Sequence, residues 1–111
     1  MINQMMIDGV KAVITYDSDI ELFRGEFVGL SGSADFYASD VAGLKREGEI
    51  SLRVYLEECQ ESGIDPFKSF SGKFNVRIPA DLHASIVSAA AAQGKSINQW
   101  IGETLSREVN A

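Results

Sequence analysis

The chain has 111 residues and a formal net charge of −6; with 45% hydrophobic and 23% charged residues it is globular in composition, not disordered, and long enough for one ordinary domain or two very small ones. A core of that size is marginal for an isolated subunit, so a second subunit is expected. No apolar run approaches the roughly 20 residues of a membrane helix, and residues 1–8 lack the basic start and apolar stretch of a secretory signal, so a cytoplasmic location without membrane contact is expected. The single cysteine, Cys59, excludes an internal disulfide and a cysteine-based zinc cluster.

The charge is unevenly placed. Residues 1–71 carry six Lys/Arg against thirteen Asp/Glu, whereas residues 72–111 carry Lys73, Arg77, Lys95 and Arg107 against Asp81, Glu103 and Glu108. Such asymmetry suggests two tasks. An acidic first part steers toward basic partners and away from nucleic acid; it also serves simply to solubilise a small protein.

In chain order, Val10 to Tyr16 is rich in β-branched and aromatic residues and reads as a strand. Asp17 to Asp19 forms a turn, Glu21 to Val28 a second strand, Gly29 to Ser33 a second turn, and Ala34 to Ala38 a third strand, giving an antiparallel meander. A helix follows, with Ser39 or Asp40 able to cap its first turn. Val41, Leu44, Leu52, Tyr55, Leu56 and Cys59 form its apolar stripe. Gly43 and Gly48 are unfavourable inside a helix, so a kink or break is expected near Gly48. Gly63 is a C-terminal stop, reinforced by Asp65-Pro66. Residues 65–72 read as the connection between two parts, with Phe67 and Phe70 too apolar for a free linker and suited to an edge strand.

Residues 73–79, Lys-Phe-Asn-Val-Arg-Ile-Pro, alternate in a strand-like way. Phe74, Val76 and Ile78 fall on one face and Lys73, Asn75 and Arg77 on the other; Pro79, with no N–H to donate, ends the strand. A helix follows, with Asp81 placed to cap and Leu82, Ile86, Val87, Ala89 and Ala90 as its stripe, ending at Gln93 and a left-handed Gly94. Ser96 and Gln99 form a capping box for a last helix bearing Ile97, Trp100, Ile101 and Leu105 on one face. One strand and two helices cannot bury these faces alone. Two copies can: the strands pair antiparallel, the helices close over Phe74, Val76, Ile78, Trp100 and Leu105, and the ribbon presents Lys73, Asn75 and Arg77 to a DNA major groove. Lys and Arg donate to guanine, and Asn pairs with adenine. The N-terminal end of the last helix, Lys95, Ser96 and Ile97, suits a phosphate.

The run GKFNVRIP followed by DLHASIVSAAAAQGKSINQWIGETL resembles ribbon-helix-helix repressors of the Arc and MetJ kind, and most closely the C-terminal part of HicB antitoxins. The resemblance extends upstream through FSGKFNVRIP, LRVYLEECQESGIDP and ITYDSDIELFRGEFVGLSG, covering roughly residues 10–108. It implies a type II toxin-antitoxin role. A HicB-like domain, residues 1–70, would cover HicA, a small basic ribonuclease with a double-stranded-RNA-binding-like fold. A ribbon-helix-helix domain, residues 71–111, would dimerise and repress the operon. By the same resemblance Lys73, Asn75 and Arg77 read bases, and Lys95, Ser96 and Ile97 grip phosphate through backbone N–H groups.

The expected fold is therefore α+β: a small antiparallel sheet with one helix, then a dimerising ribbon-helix-helix. Trp100 reads as a core aromatic, His83 as a surface or partly buried helix residue, and Cys59 as a small core residue. Asp17, Asp19, Glu21 and Glu26 form either a solvated turn or a toxin-facing patch. No glycine-rich phosphate loop, metal-ligand cluster or Ser/His/Asp grouping is present, so no enzymatic activity, cofactor or metal is expected. The expected partners are a second copy, as a homodimer or dimer of dimers, operator DNA and a HicA-like toxin. The alternative is a stand-alone repressor whose N-terminal domain binds an effector or mediates assembly.

Overall fold

The structure, a computed structural model, describes residues 3–110; residues 1, 2 and 111, the outer limits of the two expected domains, lie outside it. The chain divides into two units between Ser71 and Gly72. The first is α+β, with strands β1 (Gln4–Ile7), β2 (Val10–Asp17), β3 (Leu22–Phe27) and β4 (Asp35–Ala38) followed by helix α1 (Val41–Ser62). The second contains helices α2 (Ala80–Ala92) and α3 (Ile97–Val109). No helix among the described residues is long and apolar enough to cross a membrane.

The four strands form one antiparallel sheet in sequence order. Strand β1 was not expected, because Gln4-Met5-Met6-Ile7 lacks a β-branched run. Its place comes from pairing: Gln4 lies opposite Val13 and Ile7 opposite Val10. The two-residue turn between them, Asp8-Gly9, holds both residues at positive φ, 48° and 82°. That conformation matches the twist of a hairpin, and Asp-Gly is among the pairs that adopt it most readily. Alternation then sorts the side chains. Ile7, Ala12, Phe27 and Phe36 are buried with Leu44, Leu52, Tyr55 and Cys59 of α1. The opposite face carries Arg24, whose guanidinium donates to Asp35 Oδ2 at 2.5 Å across neighbouring strands.

Helix α1 begins where Asp40 Oδ1 accepts the Gly43 N–H at 2.6 Å, which selects Asp40 over Ser39 as the cap. The helix runs unbroken through Gly48, so the expected kink does not occur. Gly43 and Gly48 are both buried, and the reason is close approach. A Cβ on Gly48 would fall within the Ile7 side chain and 3.2 Å from the Phe36 ring. On the sheet, the Phe36 ring covers its cross-strand partner Gly25, where a Cβ would strike the ring directly. Val41, assigned to the apolar stripe by spacing, is instead exposed: it is the first helical residue, beyond the sheet's reach.

The helix ends at Gly63 (φ 67°), with Ile64 N–H bonded to Cys59 O and Gly63 N–H to Gln60 O, a Schellman arrangement. The connection then returns to the sheet. Ser31 N–H bonds to Pro66 O and Lys68 N–H to Gly29 O, forming the Leu30–Phe67 bridge. The Tyr55 phenol sits at the centre, donating to Pro66 O at 2.9 Å, accepting from Gly32 N–H at 3.0 Å and lying 3.0 Å from Ser31 Oγ. The expected edge pairing thus exists at Phe67 alone; Phe70 is 80% exposed.

Gly48→Ala separates two opposed effects. Helix propensity alone favours alanine by roughly 1 kcal/mol, whereas overpacking costs about 1–3 kcal/mol. Because Ile7 and Phe36 leave no room, the expected outcome is a net destabilisation of the N-terminal unit in urea unfolding; a more stable variant would show that α1 stands off the sheet.

Candidate nucleic-acid interface

Lys73, Asn75 and Arg77 are exposed, in a segment between Gly72 and Pro79 that carries no secondary structure. The expected strand at residues 73–78 is therefore absent from the single chain. The physical reason is direct: a strand exists only where another strand takes its N–H and C=O groups, and the sheet pairs only β1 to β4. The apolar residues interleaved with these cations are uncovered, Phe74 being 71% and Val76 65% exposed, with Ile78 half-buried.

Helix α2 starts immediately after Pro79 (φ −57°, ψ 147°), with no side-chain cap. Asp81, expected as the cap, lies inside the first turn instead, where its charge complements the free N–H groups of the helix end. Proline's fixed φ and missing N–H suit the boundary, so a cap is dispensable. The helix ends in a second Schellman arrangement: Lys95 N–H bonds to Ala90 O and Gly94 N–H to Ala91 O, with Gly94 at φ 64°. Helix α3 follows at once, with Ser96 Oγ accepting the Gln99 N–H at 3.1 Å. The capping box is half formed, because the Gln99 side chain turns away and donates to Glu103 Oε1 at 3.3 Å. The Ser96 cap leaves the Ile97 and Asn98 N–H groups as the open donors of this end.

Lys95 does not extend freely beside those donors. Its ammonium is held by Glu103 Oε2, two turns along α3. The Lys95 hydrogen bond is the largest cause holding the Glu103 carboxyl below its ordinary range, with further lowering from Gln99. The Ser96 hydroxyl is thus committed to the cap, the Lys95 ammonium to an ion pair and the Lys95 N–H to Ala90 O, while the expected phosphate contact is through backbone N–H groups, of which that of Ile97 belongs to the open helix end.

Ala90 is the one buried residue among the described residues of this unit. Trp100, expected in a core, is half-buried, and Leu105 is 45% exposed. Together with Phe74 and Val76 they leave an apolar surface of the kind that isolated soluble domains seldom retain. His83 is exposed, and no group of three or more His, Cys, Asp or Glu side chains among the described residues could hold a metal ion. In the N-terminal unit, Asp17 Oδ1 accepts the Asp19 N–H at 3.0 Å and so closes its own turn, while Asp19, Glu21 and Glu26 are exposed.

Ion-pair geometry sets a pH dependence. A carboxyl whose pKa is depressed on folding contributes stability above the ordinary carboxylate range and loses it as pH falls through its folded pKa. An NMR titration is expected to show Glu103 titrating below the ordinary range, and Lys95→Met is expected to move it back up; coincident titrations would remove the pair.

Residues 55–105 match the family model described as HicB family. The match runs from Tyr55, at the clamp on the connection, through α2 and most of α3. No curated protein and no solved structure matches the chain.

Proposed function

We propose that this chain is a HicB-type antitoxin, in which the N-terminal unit neutralises a HicA-like ribonuclease toxin and the C-terminal unit dimerises and represses its own operon. The observation that carries this reading is the exposed apolar surface of a C-terminal unit with a single buried residue, lying within the HicB-family match. A second copy supplies what the segment at 73–78 lacks. Antiparallel pairing of two such segments satisfies their backbone groups and brings Phe74, Val76 and Ile78 of both copies to one face. Covering each large apolar side chain contributes about 1.5–3 kcal/mol, so Trp100 and Leu105 join the same core.

The other face then carries two sets of Lys73, Asn75 and Arg77, a width that fits the major groove. Arg77 and Lys73 donate to guanine edges and Asn75 pairs with adenine, with the Ile97 N–H placed for a phosphate oxygen. The protein assigns no group to catalysis; its action is to occlude an enzyme and to occupy DNA. The acidic excess of residues 1–71 complements a basic ribonuclease and keeps that unit away from the DNA backbone.

Co-expression with the proteins encoded by its immediate genomic neighbours, followed by sizing with and without the promoter DNA, is expected to yield a complex containing two or more copies of this chain and a small basic partner. A monomer that binds neither partner would overturn the reading. Arg77→Ala is expected to weaken promoter binding by about 1–3 kcal/mol with dimerisation intact; unchanged affinity in a gel-shift titration would remove the ribbon from the DNA interface.

A further inference from the structure

An open groove of mixed polar and apolar lining lies on the N-terminal unit between the C-terminal half of α1, the β1–β2 turn and the bridge at Phe67. Val10, Leu52, Leu56 and Phe67 form its apolar lining. Leu52 belongs to the core, and Phe67 is held by the backbone bonds on either side of it, so this surface is fixed before anything binds. Phe67 nonetheless remains 45% exposed.

The groove is edged by charge of one predominant sign. Glu49, Arg53 and Glu57 succeed one another at four-residue spacing along α1, and Asp8 lines the groove from the β1–β2 turn. All four are exposed. Three carboxylates about one guanidinium leave a negative potential beside the apolar side chains of Val10, Leu56 and Phe67. That combination fits a long basic side chain, whose methylene stem lies on apolar surface while its charged head meets carboxylates. It repels a phosphate backbone or an anionic membrane.

We propose that this groove is where the N-terminal unit receives its basic protein partner, by taking a lysine- or arginine-bearing segment across Leu56 and Phe67 with the cation among Asp8, Glu49 and Glu57. The existence of that partner rests on the antitoxin reading above; the groove specifies the docking surface. The four-residue spacing of α1 sets the contact to about two helical turns, and contact with Phe67 brings the partner to the start of the connection between the units.

The test is a calorimetric titration of the full chain with the basic partner that the co-expression above isolates. Two double variants carry the same change in charge: Glu49→Lys with Glu57→Lys in the groove, and Glu58→Lys with Glu108→Lys outside its lining. All four positions are exposed, and thermal unfolding checks that both variants fold. The expected result is about a 100-fold loss of affinity for the groove variant, the scale of losing two close charge pairs, with the control within about threefold of wild type. Equal losses in both variants would overturn the groove in favour of general charge attraction. Wild-type affinity in the groove variant would overturn it while leaving the antitoxin reading intact, and absence of wild-type binding would overturn both. A change in the sedimentation of the groove variant without partner would also overturn it, by identifying a second copy as the occupant.

Discussion

Phe36 fills the space between a strand glycine, Gly25, and a helix glycine, Gly48, and its ring sets how closely α1 lies on the sheet. Much of the N-terminal unit depends on that distance. With α1 close, Leu44, Leu52 and Cys59 join Ile7, Ala12 and Phe27 in one buried cluster. Tyr55, on the same helix face, is then deep enough to be nearly covered and long enough for its phenol to reach the Gly32 N–H and Pro66 O. The clamp on the connection is thus a remote consequence of two absent side chains. A helix held farther out would leave the phenol without these partners, and a buried hydroxyl without partners is costly.

The C-terminal unit is built on the opposite principle. Its helices meet at a small residue, Ala90, and no large side chain among its described residues is buried. The turn joining the helices is nevertheless well determined: both Schellman bonds at Gly94 and the Ser96 cap on α3 are present. Local hydrogen bonding therefore specifies the helices, while Phe74, Val76 and Leu105 stay exposed. Within the single chain a unit so constructed leaves its largest favourable term, apolar burial, mostly unused. Under the antitoxin reading, folding of the DNA-binding part and pairing of two copies become one event.

Charge separates the roles further. The acidic excess lies in residues 1–71, and the exposed carboxylates around the Phe67 groove belong to it. In the second unit Lys95 is tied to Glu103, and the open donors at the N-terminal end of α3 are the Ile97 and Asn98 backbone N–H groups. Such donors are fixed by the helix and carry no side-chain entropy; under the antitoxin reading they favour register on a phosphate over strength of attraction.

Local signals in the chain were sufficient for the three strands between Val10 and Ala38, the stops at Gly63 and Gly94, the Ser96 cap and the boundary at Pro79, because each depends on a residue and its near neighbours. The exposure of Lys73, Asn75 and Arg77 agrees with the alternation, which is a property of a few consecutive side chains, but the strand that alternation suggested does not form in the single chain. Other features depended on residues distant in the chain. Strand β1 exists because Val10 to Val13 lie opposite it. Gly48 looks like a helix breaker until Ile7 and Phe36 arrive from the sheet and make any side chain there too large. The Tyr55 clamp joins residues 31, 32, 55 and 66, and the groove joins Asp8 to Glu57 and Phe67. At residues 73–78 the alternating pattern forms no strand within the single chain, since no segment of the chain takes its backbone N–H and C=O groups: a local pattern cannot supply a partner.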